Sequence, residues 1–300
     1  MDRLASMELF VRIVERGSFS AAAADLRISR PVATSAIKEM EQRLGVRLLQ
    51  RTTRHVQPTE EGQAYFRRCL AILADIEDAD RGISGKVAGV LHVGAPGYLA
   101  RTMLLPSLPA FLASHPALTV RISESERYVD LVREGIDCVV RGGVLGDSEM
   151  IARQVGNLEE ITCASPDYLA RHGVPRSPKD LEGHLMIGFV SSRTDRPLPL
   201  EFTVAGAMVE IALPSRLQVS AAETSAAAAR RGMGIVQAPR ARFVDDLASG
   251  ALVEILETFR PSPTPVSVLY PSSRQLSLRV RVFVDWLIST LGPQIGGATK

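Results

Sequence analysis

Seven basic side chains, Arg27, Arg30, Lys38, Arg43, Arg47, Arg51 and Arg54, fall in one stretch that holds only two acidic ones, Glu39 and Glu41. That is a local balance of +5 on a chain whose net charge is +2, so the remainder sums to −3. A patch of this kind on a nearly neutral chain suits phosphate contact by one small region. The other chemistry-bearing residues are scattered. Cys69, Cys138 and Cys163 are far apart with no CxxC pair, which argues for a reducing compartment and against a disulfide framework or a zinc site. His55, His92, His115, His172 and His184 show no ligand spacing, and no GxSxG, HExxH, P-loop or GxGxxG pattern appears. The residues therefore point away from catalysis, and no cofactor is expected.

The basic patch needs elements to present it. Met7, Phe10, Val11 and Val14 recur at helical spacing, and Gly17 suits the left-handed position that ends such a helix. Ser20 is a candidate cap for the alanine-rich second helix, and Ser29 for a third helix in which Pro31 is tolerated in the first turn. The spacing places Val32, Ile37, Met40 and Leu44 inward and Arg30, Thr34, Ser35 and Lys38 outward, with Gly45 ending the helix. A tight turn between short helices, followed by the basic, threonine-rich segment Arg51-Thr52-Thr53-Arg54, suits a winged helix-turn-helix lying in the major groove of duplex DNA. The candidate DNA contacts are Ser20, Ser29, Arg30, Pro31, Thr34, Ser35, Lys38, Arg51, Thr52 and Arg54. A small helical bundle with a merely solvated polar face is the alternative.

Several phrases at fixed spacing resemble the LysR-type transcriptional regulators. They are Phe10 to Ala22, Ser29-Arg30-Pro31-Val32-Ala33-Thr34, Met40-Glu41 through Leu44-Gly45 to Arg51, and Thr59-Glu60-Glu61-Gly62. The chain departs from the family's usual residues at two base-facing positions: Gln or Pro is often found where it has Arg30, and Arg is common where it has Ser35. Arg30 can pair bidentately with a guanine, a contact worth about 1–3 kcal/mol of discrimination, whereas Ser35 is shorter and less selective.

From Thr59 to Gly82 the chain reads as one helix. Tyr65, Cys69, Ile72, Ile76, Ala79 and Ile83 are spaced 4-3-4-3-4, the period of a coiled-coil seam. Packing on its own domain is the simpler alternative; the resemblance implies a linker helix pairing two subunits, and hence a pseudo-palindromic site. Beyond it, strands at 89–95, 118–122, 138–140, 160–163, 185–190 and 266–270 alternate with helices at 101–114, 128–134, 166–171, 223–231 and 277–291, which suggests parallel α/β sheets. The phrases Arg127 to Val132, Gly135 to Gly143, Cys163 to Leu169 and Arg231 to Ile235 also resemble the LysR effector domain. That implies a fold like that of periplasmic binding proteins, with two α/β lobes joined by two crossing strands.

The expected division is residues 1–58 for the DNA-binding domain, 59–87 for the linker helix and hinge, and 88–300 for the effector domain. Within the last, lobe I takes about 88–161 and 267–300, and lobe II about 162–266. Ligands in such sheets sit beyond the carboxyl ends of strands. That selects Pro96, Gly97, Tyr98, Ser125 and Arg141 from one lobe, and Ser191, Ser192, Ser220 and Thr224 from the other. Helix N-termini and Arg141 suit a carboxylate or similar anion, which Glu124 and Glu223 would oppose. The expected partners are double-stranded DNA, a small-molecule effector, a second copy in a homodimer or dimer of dimers, and RNA polymerase if the protein activates. Nothing in the sequence suggests a membrane segment or a secretory signal, and a cytoplasmic location is expected. The alternative function is a small-molecule binding protein whose N-terminal helices serve only in oligomerisation.

Overall fold

The computed structural model describes residues 1–51, 56–82, 87–127, 131–145, 150–272 and 276–296. The chain opens with three helices, α1 (Arg3–Arg16), α2 (Phe19–Asp25) and α3 (Arg30–Leu44). Each begins at a short polar cap. Asp2 Oδ1 accepts from Ala5 N at 2.7 Å, Ser18 Oγ from Ala21 N at 3.3 Å and Ser29 Oγ from Val32 N at 3.4 Å. The cap of α2 is thus Ser18, not Ser20, which lies exposed as the second residue of the helix. Gly17 (φ 61°) and Gly45 (φ 71°) end α1 and α3 in the left-handed region, as the sequence indicates.

Two strands follow, β1 (Leu49–Arg51) and β2 (Val56–Pro58), paired antiparallel as the base of a wing. Then comes α4 (Glu60–Gly82). Leu9, Phe10, Ile13, Ala22, Ala33, Ile37, Met40, Leu48 and Cys69 form one core, with Phe10 against Tyr65 at 5.6 Å between ring centroids. Fully burying a side chain of Phe10's class contributes roughly 1.5–3 kcal/mol. Two expectations are corrected here. The inward stripe of α3 is Ala33, Ala36, Ile37 and Met40, spaced 3-1-3, whereas Val32 is 48% and Leu44 38% exposed. The expected seam of α4 also divides, because Tyr65 and Cys69 are consumed by the domain's own core. Ile72 remains 37% exposed, and Ile83 lies outside the described residues.

The remainder begins with β3 (Gly89–Ala95), then α5 (Gly97–Leu99), which runs through a π turn at Ala100–Leu104 into α6 (Leu105–Ser114). After β4 (Leu118–Glu124), α7 (Leu131–Glu134) and β5 (Cys138–Gly142), the chain takes the long strand β6 (Met150–Leu158). The expected helix at 128–134 is described only from Leu131. A five-stranded sheet has the order β4-β3-β5-β14-β6, where β14 is Thr264–Pro271. Within it β3 is parallel to β4 and β5, while β14 runs antiparallel to both β5 and β6.

Only Glu159 separates β6 from β7 (Glu160–Ala164), which lies in a second, smaller lobe. That lobe contains α8 (Pro166–His172), β8 (Ile187–Phe189), β9 (Leu200–Val204), β10 (Ala207–Ile211), β11 (Leu217–Val219), α9 (Ala222–Arg230), β12 (Val236–Pro239), α10 (Val244–Ser249) and β13 (Val253–Ile255). Here β7 is central and antiparallel to both β12 and β13, and only β8 and β11 pair parallel. The parallel sheets expected from strand–helix alternation are therefore only partly present: the five-stranded sheet is mixed, and β12-β7-β13 is antiparallel throughout. Alternation reports where strands fall, not which way they point.

The chain returns to the larger lobe through β14 and closes with α11 (Leu278–Trp286), whose Phe283 and Val284 fill the larger lobe's core. The two lobes are thus joined by paired crossing segments, at Glu159 and at residues 261–263. Among the described residues, no helix is long and apolar enough to cross a membrane.

Candidate functional site

The N-terminal face takes its geometry from α3. With Ala33, Ala36, Ile37 and Met40 buried, helical periodicity turns Arg30, Pro31, Ser35 and Lys38 to solvent and leaves Thr34 half-buried. These five line one shallow, open depression. The Thr34 hydroxyl donates to Arg30 O at 3.0 Å, so it keeps acceptor capacity for an outside donor. Ser29, next to Arg30 in the chain, and Ser20, on α2, are both exposed. The backbone turn that brings α2 to α3 places Arg27 at φ 55°, while Ile28 N donates back to Ala23 O at 3.0 Å.

The wing is fastened to the same unit. Glu41, near the far end of α3, accepts from Leu48 N and Leu49 N at 2.8 and 3.1 Å, and Val56 N donates to Gly17 O at 3.0 Å. Arg51 lies in β1, while Thr52 and Arg54 lie outside the described residues.

The second site forms where the carboxyl ends of β3, β4 and β5 meet the smaller lobe. Pro96 and Gly97 are buried directly after β3, and Tyr98 follows with its hydroxyl beside Gly142. Gly97 lets the ends of the Glu124 and Arg101 side chains lie against the turn, since a Cβ there would stand 2.4 Å from Glu124 Oε2 and displace it. Ser125 Oγ accepts from Arg127 N at 3.1 Å and so shapes the turn after β4. Arg141, buried in β5, donates to Arg127 O at 2.9 Å and Glu126 O at 3.0 Å, and reaches Ser192 Oγ of the other lobe at 3.3 Å. Ser191 is a turn residue, its Oγ accepting from Arg193 N. Ser220 and Thr224 are exposed on either side of the start of α9.

Four residues that sequence reasoning did not single out as contacts complete the cleft. Arg101 donates to Glu124 at 3.1 Å and to Glu223 of α9 at 3.0 Å, neutralising the two carboxylates expected to oppose an anion and tying the lobes together. Glu126 reaches across to accept from Ala222 N at the start of α9; burial raises its carboxyl pKa, against the pull of Arg242 and Arg141. Glu160, at the crossing strand, accepts from Thr264 Oγ1 at 2.7 Å, and burial pushes its pKa up to about 7. Arg242 lies over the Tyr98 ring at 5.9 Å. No local motif marks these four, because they converge from positions far apart in the chain.

The remaining candidates have structural roles. His92 Nδ1 lies 3.0 Å from Gly135 O and Nε2 2.7 Å from Ser123 Oγ. A carbonyl only accepts, so Nδ1 carries the proton and Nε2 accepts from the serine; burial holds the ring's pKa below its usual value. Cys69 and Cys163 are buried, and burial raises their thiols to about 11 and about 12. Neither offers the thiolate that redox chemistry requires.

Comparison with known proteins agrees with this layout. Residues 4–63 match the bacterial regulatory helix-turn-helix protein, lysR family, and residues 84–292 match the LysR substrate binding domain. The chain is 35% identical over 294 residues to the uncharacterized HTH-type transcriptional regulator YhjC of Escherichia coli K12, covering 97% of this chain and 98% of the relative. It is likewise 35% identical over 291 residues to an HTH-type transcriptional repressor of Pseudomonas aeruginosa, covering 96% and 92%. Among solved structures, CrgA, a LysR-type transcriptional regulator from Neisseria meningitidis, superposes with a TM-score of 0.59 at 32% identity, over 97% of this chain and all of that one. These relatives are regulators, not enzymes, and they share the helix-turn-helix followed by a two-lobed α/β domain. The chain belongs to the LysR family of DNA-binding transcriptional regulators.

Proposed function

We propose that this protein binds a pseudo-palindromic duplex as a homodimer or dimer of dimers, reading it with α3 and the wing. A small effector held between the lobes controls that binding. The division follows the sequence: residues 1–58 contact DNA, 59–87 link and pair subunits, and 88–300 bind the effector. The observation that carries the reading is the single exposed face formed by Arg30, Pro31, Thr34, Ser35 and Lys38, on a helix whose opposite face is locked into the core. A helix held this way enters a major groove as a rigid unit, and Ser20, Ser29, Arg51, Thr52 and Arg54 are the further DNA contacts in this reading. The exposed Ile72 gives a pairing seam a place to begin once Tyr65 and Cys69 are taken by the domain core.

In the regulatory domain the proposed effector contacts are Pro96, Gly97, Tyr98, Ser125, Arg141, Ser191, Ser192, Ser220 and Thr224. The Arg141–Ser192, Arg101–Glu223 and Glu126–Ala222 links all cross between lobes. A ligand that competes for these groups shifts the balance of lobe positions, and through α4 the spacing of two recognition helices. An activator would also touch RNA polymerase.

Base-reading and phosphate contacts separate in one experiment. In fluorescence anisotropy with the full-length protein, Arg30→Ala is expected to lose about 1–3 kcal/mol on the protein's own upstream duplex and little on random DNA. Lys38→Ala is expected to weaken both duplexes alike and to lower the salt slope by about one. Equal losses on both duplexes for Arg30→Ala would remove it from the reading face.

A further inference from the structure

We propose that Arg242 is the anchor for a small organic carboxylate bound between the lobes. This rests on the cleft reading above and names the chemical class that the cleft takes. Arg242 closes the short 3-10 turn Arg240–Arg242 after β12, on the smaller lobe, and its guanidinium lies over Tyr98 of the larger one. Its Nε and Nη2 are both buried and donate to nothing.

The other arginines around it are engaged. Arg101 holds Glu124 and Glu223, Arg141 holds two backbone carbonyls and Ser192, and Arg240 holds Glu159 and Glu254. Arg230 is the instructive comparison, because it grips Asp246 side-on through Nε at 2.5 Å and Nη2 at 2.9 Å. Arg242 presents the same two-donor edge with no carboxylate on it. Two parallel N–H groups on one planar edge match a carboxylate's two oxygens.

The neighbouring acids do not take that role. Glu126, Glu160 and Glu223 attract the guanidinium through space, yet none is hydrogen-bonded to it. Glu223 is paired with Arg101, Glu126 accepts from Ala222 N, and Glu160 accepts from Thr264. Burial moves both Glu126 and Glu160 toward their neutral forms, which reduces their repulsion of an incoming anion. A buried cation without hydrogen-bond partners is costly to keep, so its retention calls for a ligand that completes it. The Tyr98 and Phe243 rings, 5.9 and 5.5 Å from the guanidinium carbon, wall the position with apolar surface suited to the ligand's carbon skeleton. Tyr98 and Arg242 stand on opposite lobes, so a carboxylate held here contacts both.

The test is a thermal-shift and calorimetric titration of the full-length protein with acetate, benzoate and succinate, at constant ionic strength, with benzamide as the neutral control. At least one carboxylate is expected to raise the melting temperature saturably while benzamide does not. Arg242→Gln is expected to weaken that carboxylate at least 10-fold, and Arg242→Lys, which keeps the charge but not the fork, by an intermediate factor. Circular dichroism checks that each variant is folded, and Arg242→Lys serves if Arg242→Gln is not. No response to any of the three carboxylates, or an undiminished response in both variants, overturns the proposal. Tyr98→Ala separates the two levels: if it abolishes a response that the Arg242 variants leave intact, the cleft stands and the anchor falls. If neither Tyr98 nor Arg242 matters to a carboxylate that binds, the cleft reading falls as well.

Discussion

Gly62→Ala is expected to destabilise the N-terminal domain by about 3 kcal/mol or more and to abolish DNA binding at growth temperature. The cause is local and steric. Thr59 precedes α4, and its Oγ1 accepts from Gly62 N at 2.9 Å while donating to Arg47 O at 2.7 Å. Thr59 N also donates to Leu48 O at 2.9 Å. These bonds draw the first turn of α4 directly onto the chain that leads into β1. A Cβ on Gly62 would stand 1.9 Å from Leu48 O and 2.8 Å from its carbonyl carbon. Both atoms are backbone, so no side chain can swing aside. The helix must lift from the strand, breaking the Thr59 bonds and opening the core at Leu48, a side chain only 1% exposed. Thermal unfolding of the isolated change against the parent checks this. The N-terminal transition should fall by at least about 10 °C while that of the regulatory domain stays in place.

Asp137→Ala is expected to cost at least about 2 kcal/mol in the regulatory domain. Asp137 lies just before β5 and uses both carboxylate oxygens. Oδ1 accepts from Arg279 Nη2 at 3.1 Å, and Oδ2 accepts from His92 N at 2.8 Å. Arg279 is 4% exposed at the start of α11, so the pair fastens the last helix to the centre of the large sheet. Removing the carboxylate takes an ion-pair partner from a buried guanidinium and leaves a backbone N–H of β3 without its acceptor. Asp137→Asn keeps one acceptor oxygen and should recover part of the loss. Denaturant midpoints for the parent and both variants check the ordering, with Asp137→Ala the least stable.

The N-terminal architecture was legible because its signals are local. Ser29 and Gly45 act through bonds to residues three or four positions away, Gly17 through its own left-handed φ and Pro31 through its place in the first helical turn, and such rules survive without knowledge of the fold. Val32 and Leu44 show the limit: apolar type alone placed them inward, but the helix start set by Ser29 turns Val32 outward on the first turn. The α4 seam misled for a related reason. Tyr65 and Cys69 have coiled-coil spacing, yet the same spacing serves packing against Phe10 within one chain.

The direction of β12 and β13 beside β7 left no trace in the alternation of strands and helices. In the cleft, fold logic named Gly97, Tyr98, Arg141 and Ser192, which lie where the two lobes meet. It missed Arg101, Glu126, Glu160 and Arg242, whose partners Glu223, Ala222, Thr264 and Tyr98 lie roughly a hundred residues or more away in the chain and whose placement is set by the meeting of two lobes.

The central claim is that the basic face of α3 reads a particular duplex sequence. It is tested most directly by measuring full-length binding to the protein's own upstream duplex and to random DNA of equal length, from about 50 to 200 mM salt. The expected result is an affinity for the upstream duplex at least ~10³-fold tighter, with both affinities falling linearly in log Kd against log salt. Equal affinity for the two duplexes across that range, or binding indifferent to salt, would contradict it.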